Sequence, residues 1–333
     1  MVILIGLICA LELILRLGYY EQLKTQAYPL IYQKDSLLEY SLIPNCTSRI
    51  CTPSIDKKFT LNNHGFYGKD FSTSKPDSVM RIAIVGTSIT EGIWLNGPED
   101  YPSILQKIVN KNGYKNIEIL NCSLGGINKD IRNYNLIRFY VSKYSPDLIL
   151  FHVAPQFYNE NEYREVYHNY LLRHAGTDDS RQYAIDMIEN VKKMKFFTGL
   201  YDISYIFRAY CKKFYENNIC PFSEVIRVYR EKTSSAPDIT TYKYSLKTTA
   251  KLLNELKKEL ACKRCTLIVF SMGQSKMFKE MFSDEGIPYI SLDIRFDKEM
   301  VHKHDSHPNQ YGQKVIAENF YNKLIENDLL PAK

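Results

Sequence analysis

The chain has 333 residues and a mass of 38.8 kDa, which is enough to bury a sizeable core as one domain or as one domain with an insertion. Hydrophobic residues make up 45% and charged residues 24%, an ordinary globular composition that argues against a disordered chain. The net charge of +6 is mild, and the lysines and arginines are not clustered in one block of the sequence. A nucleic-acid partner is therefore not expected.

The N-terminal segment, residues 1–18, is apolar except for Glu12 and Arg16, which stand one helical turn apart and could pair. It is just below the usual length of a membrane span and lacks a basic start and a small-residue cleavage site. We interpret it as a signal anchor or an uncleaved signal that associates with a membrane. The alternative is a buried or interfacial helix. The basic residues Arg16, Lys24 and Lys34 oppose export, since the positive-inside rule would leave the main domain cytoplasmic.

The eight cysteines give a weak indication of the compartment. Six of them fall in close pairs, namely Cys46 with Cys51, Cys211 with Cys220, and Cys262 with Cys265. Close pairs suit an oxidising compartment, although ordinary reduced thiols explain them equally well. We expect an extracytoplasmic protein, membrane-anchored or exported, with a cytoplasmic location as the alternative.

A turn-rich segment follows at residues 19–79, which we interpret as an N-terminal embellishment packed on the main fold. It contains a strand-like stretch at Lys57–Leu61. The sequence from Asn63 to Gly68 predicts a turn with glycines at positive φ.

The main domain is predicted to span residues 80–328. Short apolar runs bounded by turn residues predict buried strands at Arg81–Val85, Ile117–Leu120, Leu148–Val153, Thr266–Ser271 and Tyr289–Leu292. Helical patterns alternate with them at Tyr101–Asn112, Ile131–Lys143, Leu246–Ala261, Lys276–Asp284 and Gln310–Asn327. This alternation predicts a three-layer α/β/α fold with a doubly wound parallel sheet. Ligands of such sheets bind beyond the carboxyl ends of the strands, where Ser88, Gly126 and Gln156 fall.

An insertion at about residues 157–244 is too long for one crossover and is helical in pattern. Tyr163, Tyr167 and Tyr170 would share one helical face and form part of a small separate core. The alternative is a cap over the active site whose tyrosines touch a sugar or an acyl group.

Three residues have the chemistry of a hydrolytic triad. Ser88 follows a strand on a tight turn, where a base could remove its proton. His307 is the candidate base, and Asp305 would orient its imidazole. A turn serine is also a common helix cap, and a histidine before a helix is often only a surface residue. Asn309 could cap the helix that follows.

A metal site is the competing interpretation of the C-terminal histidines. His302, His304 and His307 together with Asp305 are residue types that could coordinate zinc. Their alternating spacing suits an extended segment, and nothing elsewhere in the sequence completes a site. We therefore expect no metal and no other cofactor.

Three sequence blocks resemble those of the SGNH (GDSL-like) hydrolase family. Gly86–Gly92, which reads GTSITEG, is similar to the first block, and Asn121–Gly126, which reads NCSLGG, to the second. Asp305–Asn309, which reads DSHPN, is similar to the last block. The blocks occur in the family's order over about residues 80–328. The resemblance implies a flavodoxin-like fold, Ser88 as nucleophile and His307 with Asp305 as the base pair. The oxyanion hole would use backbone N–H groups of Ser88 and Gly126.

The sequence departs from the family pattern at two positions. Thr87 replaces the usual aspartate before the serine, at a position that does no chemistry. The family's third block supplies an Asn to the oxyanion hole, and Pro155 stands where that Asn is expected. The amide of Gln156 could replace it, or Asn159 could do so through a different loop path.

The resemblance implies a serine esterase that removes acyl groups from a glycan or another small ester. The preferred substrate is an O-acetyl ester of a cell-envelope or extracellular glycan. One alternative is an O-acyltransferase, which would use the same residues and pass the acyl group to a sugar hydroxyl. Another is a non-catalytic glycan-binding or assembly protein, which the missing Asn favours and the complete set of Ser88, Asp305 and His307 opposes.

Overall fold

The computed structural model describes residues 2–19, 30–51, 55–95, 99–125, 130–153, 163–174, 177–179, 181–182, 185–186, 189, 199–201, 203–214, 239–303 and 305–332. The chain divides into two compact units. One contains residues 1–34, 47–59 and 160–234, and the other contains residues 35–46, 60–159 and 235–333. Parts of the segment 19–79 therefore belong to each unit.

The strands are β1 (Tyr32–Asp35), β2 (Glu39–Leu42), β3 (Thr47–Cys51), β4 (Asp56–Thr60), β5 (Met80–Val85), β6 (Ile117–Asn121), β7 (Leu148–His152), β8 (Tyr163–Tyr167), β9 (Tyr170–His174), β10 (Thr266–Ser271), β11 (Tyr289–Ser291), β12 (Val301–His302) and β13 (Asp305–Pro308). The helices are α1 (Val2–Gly18), α2 (Ser88–Glu91), α3 (Tyr101–Lys111), α4 (Asp130–Phe139), α5 (Tyr205–Phe214), α6 (Ile239–Cys262), α7 (Lys276–Asp284) and α8 (Gln310–Glu326), with a 3₁₀ turn at Val141–Tyr144.

Five strands of the second unit form one parallel sheet in the order β11-β10-β7-β5-β6. This is the flavodoxin-like order, so the predicted doubly wound sheet is confirmed. Its strands are continuous apolar runs because both faces are covered. In β5, for example, Ile82 and Ile84 face one way, Ala83 and Val85 face the other, and all four are fully buried.

Helices cover the sheet on both sides. On one side α3 and α8 pack together, and Leu105 and Phe320 join the sheet residues Ile84 and Phe270 in a single apolar cluster. On the other side α6 packs on β10 and on α4. The predicted three-layer α/β/α architecture is therefore confirmed, with small shifts of the element ends.

The helical interpretation of the start of the insertion is wrong. β8 and β9 pair antiparallel as a hairpin, and its two turn residues, His168 and Asn169, have φ of 48° and 65°. Such positive φ values at both central positions produce the tight turn that joins two twisted strands. The spacing of Tyr163, Tyr167 and Tyr170 matches a helix face by coincidence, whereas the aromatic and β-branched residues around them favour strands. Residues 190–198 and 215–238 of the insertion lie outside the described residues.

The N-terminal segment forms helix α1, all of whose described side chains are at least partly exposed. Arg16 pairs with Glu12 at 2.8 Å, as the one-turn spacing predicts. Across the ranges that the structure describes, no helix combines the length and the apolar character required to cross a bilayer.

Among the cysteine side chains that the structure describes, Cys262 and Cys265 are both free thiols. A disulfide joining Cys262 to Cys265 is therefore not formed. Burial raises the pKa of Cys265 to about 12, so this thiol stays protonated at neutral pH. The side chains of Cys51 and Cys211, and the whole of Cys220, lie outside the described residues.

Candidate active site

The turn between β5 and α2 leaves no room for a side chain at Gly86. A Cβ there would lie 2.2 Å from Thr90 Oγ1 and 3.0 Å from the Cβ of His152. Helix α2 begins at Ser88 and is only four residues long, since Gly92 ends it with a φ of 77°. The tight turn therefore presents a half-buried Ser88 at the carboxyl edge of the sheet, as the strand-turn-helix pattern predicts.

His307 reaches Ser88 from the other end of the chain. It lies in β13, which pairs antiparallel with β12. Its Nε2 is 2.8 Å from Ser88 Oγ, a hydrogen bond between residues 219 positions apart. A serine hydroxyl and an imidazole nitrogen at this distance have the geometry of a nucleophile and its base.

Helix α8 fixes the segment that carries His307. Asn309 is the N-cap, as predicted, and its Oδ1 accepts a hydrogen bond from Gly312 N at 3.0 Å. One turn later the buried Gln313 accepts from Tyr101 N at 2.7 Å and donates to Ile89 O at 3.2 Å. Because Ile89 follows Ser88, this amide links the helix after His307 to the turn that holds the serine.

Trp94 lies on the face of the His307 ring. The ring centroids are 5.9 Å apart and the planes differ by 18°, which is a stacked pair. Trp94 is the single tryptophan of the chain. It follows Gly92 in the loop after α2, so the same turn positions both the serine and the indole.

The second sequence block is attached to α2 by buried polar groups. Asn121 Nδ2 donates to Thr90 O at 2.8 Å and to Asp100 Oδ2 at 2.6 Å. Gly125 N donates to Glu91 Oε1 at 2.6 Å, and the Gly125 carbonyl accepts from Tyr40 Oη at 2.8 Å. The loop after β6 is therefore joined to the short helix that begins with Ser88.

His152 ends β7 beneath the site and is fully buried. Its ring stacks on Phe270, with centroids 5.1 Å apart, and its Nδ1 lies 3.5 Å from Thr90 Oγ1. Burial lowers the pKa of His152 to about 4, because an apolar environment penalises the charged imidazolium. The ring is therefore neutral at pH 7 and acts as a packing residue behind the turn.

The structure brings together Ser88 and His307 of the predicted site. Asp305 begins β13, opposite His302 in the β12–β13 ladder, while its side chain lies outside the described part of the structure. Gly126 and Gln156, with the positions Pro155 and Asn159, also lie outside the described residues.

The metal interpretation receives no support from the residues that the structure describes, which contain no group of three or more His, Cys, Asp or Glu side chains able to hold an ion. His304 and the side chain of Asp305 are outside that search, so the expectation that no metal is bound stays a prediction.

Sequence reasoning missed three residues of this site. Trp94 and Glu91 follow Ser88 closely, and Gln313 follows His307 by six positions. The signal that could have identified them is their closeness along the sequence to the motif residues Ser88 and His307. Their contacts depend on loop paths that no short pattern encodes.

No protein-family model matches the chain, and no curated protein matches it. Solved structures similar to it include the acetyl xylan esterase AlAXEase, at 11% identity and a TM-score of 0.39, with 74% of this chain and 100% of that chain covered. A lipase/acylhydrolase from Enterococcus faecalis is similar at 12% identity and a TM-score of 0.41, with 77% of this chain and 99% of that chain covered. A two-domain esterase active on acetylated mannans is similar at 13% identity and a TM-score of 0.41, with 77% of this chain and 53% of that chain covered.

Proposed function

We propose that this chain is a serine esterase of the SGNH type, which cleaves esters through an acyl-enzyme. The observation that carries the proposal is the 2.8 Å contact between Ser88 Oγ and His307 Nε2. The contact lies beyond the carboxyl end of β5, where a parallel sheet places its ligand site. The three sequence blocks support the same assignment.

The chemistry follows from the two side chains. With the imidazole proton on Nδ1, the Nε2 of His307 accepts the hydroxyl proton as Ser88 Oγ attacks the ester carbonyl. The tetrahedral adduct collapses when His307 returns that proton to the departing alcohol. Water then attacks the acyl-serine with His307 again as base, which releases the acid and restores Ser88. In this proposal Asp305 stabilises the imidazolium.

The proposed oxyanion hole consists of the backbone N–H groups of Ser88 and Gly126, with the side-chain amide of Gln156 in place of the family's Asn. Each donor stabilises the negative charge that forms on the carbonyl oxygen in the transition state. The proposed substrate is an O-acetyl ester on a carbohydrate, an assignment that rests on the family resemblance alone.

Hydrolysis of p-nitrophenyl acetate by the wild type and three variants, Ser88→Ala, His307→Gln and Ser74→Ala, tests the proposal. We expect Ser88→Ala and His307→Gln each to lower kcat by at least about a thousandfold, because they remove the nucleophile and the base. Ser74→Ala, which alters an exposed serine outside the site, serves as the matched control and should equal the wild type. Turnover that survives in Ser88→Ala would show that another residue is the nucleophile.

The hydrolase and the O-acyltransferase share the acyl-enzyme and differ in what attacks it. Incubation with an acetyl donor and glycan oligosaccharides separates them, since a hydrolase releases acetate and a transferase acetylates the glycan. The glycan-binding alternative would be favoured if the folded wild type neither releases acetate nor acetylates the glycan, and if a fluorophosphonate forms no adduct at Ser88.

We also propose that helix α1 associates with a membrane. Its two charged residues are engaged within the first unit: Glu12 accepts from Tyr205 N at 2.7 Å and from Ile206 N at 3.0 Å, and Arg16 lies over the Tyr205 ring. The exposed residues that remain are apolar and suit a lipid surface. An extracytoplasmic location stays part of this proposal.

A further inference from the structure

Gln313 lies near the start of α8 and is almost fully buried, with 1% of its surface exposed. Its Oε1 accepts a hydrogen bond from Tyr101 N at 2.7 Å, and its Nε2 donates to Ile89 O at 3.2 Å. A side-chain amide can accept and donate at the same end, which an apolar residue of similar size cannot do. The buried amide is therefore engaged on both sides, by two elements that lie far earlier in the chain.

Both partners of Gln313 are backbone groups at helix ends. Tyr101 is the first residue of α3, so its N–H has no acceptor within that helix. Ile89 lies in the four-residue α2, whose carbonyl groups are those of a last helical turn. The start of α3 is also joined to α2 by the Tyr101 hydroxyl, which donates to Thr90 Oγ1 at 3.2 Å. Gln313 therefore connects α8 to a junction that already contains the helix of Ser88.

The start of α8 also determines where His307 lies. Asn309, two residues after His307, donates from its backbone N to Met300 O at 2.9 Å and from Nδ2 to Glu299 O at 2.6 Å. A Cβ at Gly312 would lie 2.2 Å from Met300 O, so glycine is required for this close approach of the helix. The short segment between His307 and Gln313 is therefore held at a defined spacing.

Two hydrogen bonds thus join the turn of Ser88 to the segment of His307. One is the 2.8 Å bond between the two reactive side chains, and the other is the bond from Gln313 to Ile89 O. In the proposed acyl-enzyme, Ser88 Oγ is an ester oxygen without a proton, so it no longer donates to the imidazole. The bond of Gln313 involves no reacting atom and persists through that step.

We infer that Gln313 is a positioning residue for the Ser88–His307 pair. Its amide keeps the two segments in register while the bond between the reactive side chains is broken, so that His307 stays in place for the attack of water. Small displacements of a base lower its rate strongly, since a misplacement of about 1 Å can cost about a hundredfold. The inference rests on the proposed esterase function. It assigns a role in the reaction to a residue outside the three sequence blocks.

The variant Gln313→Met tests the inference, because it keeps the length of the side chain and removes both hydrogen bonds. We expect kcat for p-nitrophenyl acetate to fall about tenfold to a hundredfold. KM should change less than twofold, because His307 is the base in both acylation and deacylation and the two steps slow together. The rate at which a fluorophosphonate labels Ser88 should fall about tenfold.

Gln106→Met is the matched control, since Gln106 also bridges two elements through both ends of its amide. Its Oε1 accepts from Ile119 N at 2.6 Å, and its Nε2 donates to Ile117 O at 2.9 Å. Ile117 pairs with Met80, at the end of β5 opposite to Ser88. The control should lose thermal stability as Gln313→Met does, and should keep the kcat, KM and labelling rate of the wild type.

Wild-type kcat and labelling rate in folded Gln313→Met, or equal losses of kcat in the two variants, would overturn the inference alone. If Gln313→Met does not fold, Gln313→Asn decides, because it keeps a polar amide that is one methylene too short to hold both partners. A loss of kcat of about tenfold in folded Gln313→Asn supports the inference, and wild-type kcat overturns it. If the folded wild type neither turns over esters nor forms an adduct at Ser88, the proposed function fails and the inference fails with it.

Discussion

The imidazole of His307 contacts two side chains of different chemistry. Ser88 meets its Nε2 edge-on, while Trp94 stacks on its face. The face of an indole carries partial negative charge and attracts a cation. In the proposed mechanism His307 becomes such a cation when it takes the serine proton, so Trp94 is well placed both to orient the ring and to stabilise its charged form.

Substitutions of Trp94 show whether its aromatic ring contributes to kcat beyond filling space. We expect Trp94→Leu to lower kcat about twofold to fivefold, because a cation–π contact at a partly exposed site contributes about 0.5–1 kcal/mol. Trp94→Phe keeps an aromatic face and should retain most of the wild-type kcat. Steady-state hydrolysis of p-nitrophenyl acetate measures both. Equal rates in the two variants would mean that the indole only fills space.

At the level of single residues, the sequence singles out Ser88 and His307, whose side chains meet in the structure, but not the residues that hold them in place. Ser88 and His307 stand in short motifs whose chemistry can be recognised without a structure. Gln313 is an ordinary polar residue whose role arises from contacts 212 and 224 positions away. Such long-range contacts are products of the folded topology, so local pattern does not reveal them.

Among the elements, β7 supports the turn that carries Ser88 through His152. The ring is neutral in the folded protein, where its pKa is about 4, but titrates near 6.5 once exposed. Between these two values the unfolded state binds more protons than the folded state. The contribution of neutral His152 to the free energy of unfolding is therefore fully present above about pH 6.5, and it decreases as the pH drops toward 4.

This linkage predicts a measurable pH dependence of unfolding. We expect the contribution of His152 to the free energy of unfolding to be about 2 kcal/mol smaller at pH 5 than at pH 7. Urea denaturation at the two pH values measures the change, and His152→Phe, which can still stack on Phe270, should reduce it by about that amount. The same pH dependence in both proteins would show that other groups cause it.

The sequence predicts the elements of the sheet well because each buried strand is a continuous apolar run closed by a turn residue. The spacing of such runs also specifies parallel strands and the crossover helices between them. The β8–β9 hairpin is missed because three tyrosines fall at helical intervals by chance. Its turn residues, His168 and Asn169, are a weaker signal than the Asn-Gly pairs that commonly form such turns.

At the scale of the whole molecule, helix α1 exposes several large apolar side chains. Its residues Ile3, Leu7 and Ile14 are 80%, 63% and 59% exposed, an arrangement that water disfavours and a lipid interface stabilises. The sequence predicts the helix and its Glu12–Arg16 pair. The engagement of both residues with the start of α5 is a tertiary contact that the sequence does not indicate.

Vesicle flotation tests the membrane association. Burial of one such side chain contributes about 1.5–3 kcal/mol, so Ile3→Glu combined with Leu7→Glu should weaken binding at least about a hundredfold. The full chain should float with phosphatidylcholine/phosphatidylglycerol vesicles, and the double variant should stay in the lower fractions. Ile325→Glu, at an exposed apolar residue of α8, is the control and should float. A wild type that stays at the bottom would contradict the proposal.

The proposed function requires Ser88 to be a nucleophile that His307 activates. Peptide mapping by mass spectrometry after treatment with a fluorophosphonate measures this directly, because the reagent bonds covalently only to an activated serine hydroxyl. The proposed function predicts one adduct, on the peptide that contains Ser88, and labelling at least about a hundredfold slower in His307→Gln. An unmodified Ser88 in folded wild type, or equally fast labelling in both proteins, would contradict it.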